Sequence, residues 1–146
     1  MDKEASGFNT KQTVAIVGLG LIGGSYACGL RRLGVDHIIA VDPDEKALQQ
    51  AKQEGMVDDI YTAGTEALKQ ADLVIFCTAA DVMIRFLAEN KAFFTPGTIL
   101  TDVAGIKGDT ATAIAALLPD GVDFVPGHHM GGREGRGYPM ASAEII

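Results

Sequence analysis

The residues of this chain best suited to chemistry stand in two groups. The first is Gly18-Leu19-Gly20-Leu21-Ile22-Gly23, followed by Asp42 at the tip of the next apolar stretch. Glycines at this spacing build a turn that a pyrophosphate can approach. Gly18 turns the chain, Gly20 keeps the backbone bare, and Gly23 lets a following helix pack down. Leu21 and Ile22, opening that helix, would direct their N–H groups and the positive end of the helix dipole at the phosphates. Asp42 would accept hydrogen bonds from the adenosine ribose hydroxyls. The second group is Gly127-His128-His129-Met130-Gly131-Gly132, where an imidazole in an open backbone can accept or donate a proton near neutral pH.

Each group needs elements to hold it. Thr13–Val17 is an apolar strand running into the glycine turn, and a helix from about Ile22 to Leu33 leaves it. A second strand, His37–Val41, ends at Asp42; Pro43 and Asp44 open a helix through Gln53 that Gly55 closes. A short extended piece near Ile60-Tyr61 and a helical segment at Thr65–Gln70 come next. Ala71–Cys77 is nearly all apolar, as a strand buried on both faces should be. The rest reads as helix Asp81–Asn90, strand Gly97–Leu100, an alanine-rich helix Asp109–Leu118 and strand Asp123–Val125. Such alternation predicts an α/β fold, a doubly wound parallel sheet of the Rossmann dinucleotide-binding type. Residues 1–12 are expected to be a polar, flexible segment and 13–146 the domain. The strand ends at Cys77-Thr78-Ala79, Thr101–Lys107 and Gly127–Gly132 are expected to converge on one cleft.

Charge and composition narrow the partners. The 146 residues carry a formal charge of -7 and are 47% hydrophobic, so one globular domain is expected and a nucleic-acid partner is not. Asp42, with Asp44 and Glu45 close by and no Arg directly after it, repels a 2′-phosphate and favours NAD over NADP. The cysteines, Cys28 and Cys77, read as buried free thiols of a reducing compartment; no ligand spacing suggests a metal, and the cytoplasm is the expected location. Residues 12–30 are uncharged and long enough to mimic a membrane span, but five glycines (Gly18, Gly20, Gly23, Gly24, Gly29) and a β-branched opening favour a soluble strand–turn–helix. No membrane partner is expected.

Three blocks, in order, resemble the prephenate/arogenate dehydrogenase family of tyrosine biosynthesis. They are Gly18–Ser25, Thr101-Asp102-Val103-Ala104-Gly105-Ile106-Lys107, and Gly127-His128-His129-Met130-Gly131-Gly132-Arg133-Glu134-Gly135-Arg136-Gly137. The first is common to many oxidoreductases. The others look like the family's D-V-x-S-x-K and G-H-P-M-x-G-x-E-x-x-G patterns. Two positions depart from them: Gly105 replaces a serine and His129 replaces a proline. The resemblance implies NAD as cofactor, contacted also by Thr78, Ala79 and Gly105, and His128 as catalytic base. It implies oxidative decarboxylation of prephenate to 4-hydroxyphenylpyruvate, or the same reaction on arogenate. The family carries a further helical C-terminal domain that forms a homodimer and completes the substrate pocket. These residues are therefore expected to be the cofactor domain without it, and inactive alone.

Other residues have plainer readings. Asp102 is expected to bond backbone N–H groups at a strand end, and His37 to be a surface histidine. Lys107 could orient Asp102 or the substrate, and Arg133 and Arg136 could meet an anionic substrate; the plainer reading of all three is a solvated charge. Tyr138 and Met140 read as packing residues. Two other functions stay open: another β-hydroxyacid-type dehydrogenase or imine reductase, which would not need the Gly127-His128 loop, and an NAD-binding module without turnover.

Overall fold

A computed structural model of the chain describes residues 11–105 and 108–127. Six parallel strands form one sheet in the order β3-β2-β1-β4-β5-β6. They are β1 Thr13–Val17, β2 His37–Val41, β3 Asp59–Tyr61, β4 Leu73–Phe76, β5 Ile99–Asp102 and β6 Asp123–Val125. Helices α1 Leu21–Arg32, α2 Glu45–Gln53, α3 Ala80–Asn90 and α4 Gly108–Leu117 make the crossovers, with short 3-10 turns at Glu66–Gln70 and Lys91–Phe93. The strand order reverses between β1 and β4, where doubly wound sheets open a crevice for ligands.

Strand periodicity sorts the core into two layers. Val14, Ile16, Ile38 and Ala40 face α1 and α2, packing with Ala27, Leu30, Leu48 and Ala51. Their neighbours Ala15, Val17, Ile39 and Val41 face the other way, toward Leu68, Met83, Leu87 and Ile114. Side chains alternate across a strand, so a run apolar at every position is what a sheet covered on both faces requires. Phe76 and Phe86 meet edge to face, with centroids 5.7 Å apart, and tie β4 to α3.

The helix ends follow their local chemistry. Asp44 caps α2 by accepting from the Lys46 and Ala47 amides at 3.1 and 3.3 Å. At the other end Gly55 takes φ +76, and the Gly55 and Met56 amides donate back to Lys52 and Ala51.

Some boundaries differ from the sequence reading. The fifth strand is not Gly97–Leu100 but Ile99–Asp102. Pro96-Gly97 turns instead, with the Gly97 amide donating to Gly121 O, and Thr101 and Asp102 pair with Ile75 and Phe76. The segment Thr65–Gln70 is a 3-10 turn over Glu66–Gln70, and the fourth strand is shortened to Leu73–Phe76. His37 is not a plain surface histidine: it is half-buried, with Nε2 2.6 Å from Asp59 Oδ2 and Nδ1 3.3 Å from Thr13 Oγ1. The stretch 12–30 holds strand β1 and the first ten residues of α1; among the described residues no helix is long and apolar enough to cross a membrane. Residues 1–10, Ile106, Lys107 and everything from His128 onward lie outside the described residues. They include His129, Arg133, Arg136, Tyr138 and Met140.

Candidate nucleotide site

The turn from β1 into α1 is shaped by three glycines with three different requirements. Gly18 has φ +97, and a Cβ there would stand 2.6 Å from Cys77 O and 2.9 Å from Thr78 Cγ2. At Gly23 a Cβ would overlap the carbonyl oxygen of Gly18, so this glycine lets α1 sit directly on the turn. Gly20 is unlike both: a Cβ there meets nothing within 4 Å. No group of the described protein requires glycine at that position, which leaves the space above it for a ligand.

That turn ends in an uncapped helix. Gly20 occupies the N-cap of α1 without a side-chain bond, and the first turn holds no acidic residue. The N–H groups of Leu21, Ile22 and Gly23 belong to the first turn, where a helix has no internal acceptors. Free donors and the positive dipole end together favour an anion.

Asp42 stands at the end of β2 beside this turn. Its Oδ2 accepts from the Leu19 amide at 2.6 Å and its Oδ1 from the Asp44 amide at 2.7 Å. Each oxygen retains a lone pair for a further donor. From here a cleft of about 530 Å³ runs along the strand ends, within the usual range of small-ligand pockets. Gly18, Gly20, Asp42 and Thr78 line it, together with Val41, Pro43, Val82, Arg85 and Phe86. Thr62–Gly64 and Asn90 line it too, and the Asn90 side chain would overlap a Cβ on Gly64.

Of the residues expected to meet a cofactor, the cleft therefore gathers Gly18, Gly20, Asp42 and Thr78. Leu21 and Ile22 open α1 at its edge, and Ala79 is the exposed N-cap of α3. Gly105 follows β5, one strand beyond the β1/β4 crevice, at φ +72. His128 lies outside the described residues, but the residue before it is fixed. Gly127 N donates to Asp102 Oδ1 at 3.0 Å while Ala104 N donates to Oδ2 at 2.9 Å. Asp102 is 2% exposed, so this carboxylate is the buried bracket between the β5 and β6 ends that its sequence position suggested. Cys77 follows β4 on the cleft wall and is partly exposed, as Cys28 is, where full burial was expected of both; burial of the thiol first, and the Asp102 charge second, push it up to about 12. It stays protonated and makes no nucleophile at neutral pH.

The sequence reading missed Thr62, Gly64, Arg85, Phe86 and Asn90. They lie in a loop after a three-residue strand and on the cleft side of α3, and no motif marks them. Only the apolar wall of α3, carried by Val82 and Phe86, was present in the sequence as helical spacing.

The family model for the prephenate dehydrogenase nucleotide-binding domain matches residues 26–146. Prephenate dehydrogenase of Bacillus subtilis is 30% identical over 138 residues, covering 90% of this chain and 36% of that protein. The crystal structure of prephenate dehydrogenase from A. aeolicus in complex with hydroxyphenyl propionate and NAD+ superposes with a TM-score of 0.82 at 25% identity. The match covers 92% of this chain and 47% of that one. Synechocystis arogenate dehydrogenase gives 0.81 at 28%, over 92% and 46%. The chain thus spans less than half the length of these relatives. With a six-stranded sheet in the 3-2-1-4-5-6 order and a glycine turn at its switch point, the chain belongs to the family of prephenate dehydrogenase nucleotide-binding domains.

Proposed function

We propose that this chain is the NAD-binding part of a dehydrogenase that oxidatively decarboxylates prephenate, with arogenate as the alternative substrate. The observation that carries the reading is the cleft joining Gly18, Gly20, Asp42 and Thr78 at the sheet's switch point. It offers a bare turn and an uncapped helix for a pyrophosphate, a carboxylate for ribose hydroxyls, and apolar walls at Val41, Pro43 and Val82 for a base. A carboxylate at Asp42 would repel the 2′-phosphate of NADP, which favours NAD.

NAD, when bound, supplies the hydride acceptor. The chain's own work is placement and one proton transfer. The α1 amides and Asp42 hold the two ends of the adenosine diphosphate portion, and Thr78, Ala79 and Gly105 border the other half. His128, one residue after the Gly127 amide pinned by Asp102, is the base that takes the substrate's ring hydroxyl proton. Loss of the ring carboxylate as CO₂ then makes the ring aromatic. The rest of the substrate pocket and the homodimer contact are assigned to a helical domain beyond these residues, and the enzyme to the cytoplasm.

The test is turnover by the complete protein with prephenate and with arogenate, following NADH and CO₂. His128→Ala should lower kcat by roughly 10²–10⁴-fold, the usual scale for a general base, with NAD affinity held. Turnover that survives this substitution removes His128 from its role. Absence of NADH formation with both substrates removes the reaction.

A further inference from the structure

The geometry around Asp42 points to a second task for this carboxylate, one that rests on the dinucleotide reading above. We propose that Asp42 is a positioning residue for the phosphate-binding turn, holding it open whether or not there is a ribose to bind.

Three bonds support this. Asp42 Oδ2 accepts the Leu19 amide at 2.6 Å, the Gly18 amide donates to Val41 O at 2.8 Å, and Asp42 Oδ1 accepts the Asp44 amide at 2.7 Å. Two consecutive amides of the glycine turn are therefore tied to two consecutive residues at the end of β2. On its other side the turn is anchored by the Leu19 side chain, which is 1% exposed within the α1/α2 core. The peptide between Gly18 and Leu19 is gripped from both directions.

This divides the amides of the turn. Those of Gly18 and Leu19 point at β2, and those of Leu21 and Ile22 stay at the uncapped start of α1. Without the carboxylate, Leu19 N–H would be an unpaired donor beside the anion site, and the turn would be free to close on it or on water. A hydrogen bond to an ionised acceptor is among the stronger ones available, so the Asp42 clamp is a substantial part of what fixes the turn.

A consequence concerns cofactor choice. Replacing this acid with a small residue is the direct way to admit a 2′-phosphate. Here the same change releases the turn, so it should weaken binding of every pyrophosphate ligand. Cofactor preference and phosphate affinity are coupled through one side chain.

The test uses the 146-residue chain, Asp42→Ala and Asp42→Asn. The first measurement is amide hydrogen exchange without ligand. Leu19 should exchange at least about tenfold faster in Asp42→Ala, as loss of a charge-assisted bond implies, with the Ala15 and Ile16 amides of β1 unchanged as a control for folding. Asp42→Asn keeps one acceptor oxygen and should fall between. The second is titration with an NAD analogue built on 2′,3′-dideoxyadenosine, which has no ribose hydroxyl at that end. Asp42→Ala should bind it about tenfold more weakly than the wild-type chain does, and Asp42→Asn should recover part of the loss. Unchanged Leu19 exchange, or equal affinity of wild type and Asp42→Ala for the analogue, overturns the proposal. If the wild-type chain binds neither NAD nor the analogue, the dinucleotide reading falls, and Leu19 exchange alone decides the clamp.

Discussion

Gly18, Gly20 and Gly23 share a motif but answer to different neighbours. A Cβ at Gly18 meets Cys77 O, and one at Gly23 overlaps Gly18 O, whereas one at Gly20 meets nothing within 4 Å. Alanine at 18 or 23 must therefore disturb the β1–α1 packing, and at 18 it also takes a left-handed φ of +97. Alanine at Gly20 should cost no more than about 1 kcal/mol, the scale of the N-cap preference for glycine over alanine, since it makes no new contact. It should still weaken NAD binding by roughly tenfold or more, because the methyl group occupies the approach of the pyrophosphate. Denaturant unfolding and cofactor titration of the three alanine variants separate these effects. If Gly20→Ala is strongly destabilised, or binds NAD as wild type does, the close-approach role is wrong.

At the scale of elements, ion pairs and hydrogen bonds hold the N-terminal ends of the strands. Asp58, just before β3, accepts from the Ile38 amide at 2.8 Å and from Arg31 Nη2 at 2.9 Å. Burial alone would raise its pKa; the Ile38 N–H and the Arg31 guanidinium outweigh that and hold the carboxyl below its ordinary value. A depressed carboxylate stabilises the fold above its unfolded pKa of about 3.9, and the contribution is lost as pH falls through the lower folded value. Asp58→Asn should therefore lower stability at neutral pH and flatten the fall of stability between about pH 4 and the acid limit. Denaturant midpoints over that range check the sign; an unchanged acid limb contradicts it. These edge contacts also mark what was legible in the sequence. Strands β1, β2 and β4 stood out because burial on both faces makes every position apolar after the opening Thr13 of β1 and His37 of β2. Strand β5 was placed two residues early because Thr101 and Asp102 look like loop residues until their pairing with β4 is known. His37 looked like a surface residue because Asp59 reaches it only across the β2–β3 pair.

Across the whole molecule, the site is a product of topology. The glycine turn, Asp42 and Thr78 come from the ends of β1, β2 and β4, adjacent strands widely separated in sequence. The sequence marked the first two through their spacing, and the alternation of strands and helices implied that they meet. It did not mark Arg85, Phe86 or Asn90, because their relation to the cleft depends on how α3 lies on the sheet. Nor did it disclose that Asp42 bonds the turn itself, since an acid at a strand tip looks the same whether it faces ligand or backbone. The central claim is that this cleft binds NAD and rejects a 2′-phosphate. Calorimetric titration of the folded chain with NAD and NADP tests it most directly. NAD should bind saturably and at least about tenfold more tightly than NADP, the effect of placing a carboxylate against the extra phosphate. A chain folded by circular dichroism that binds neither dinucleotide, or binds NADP more tightly, contradicts it.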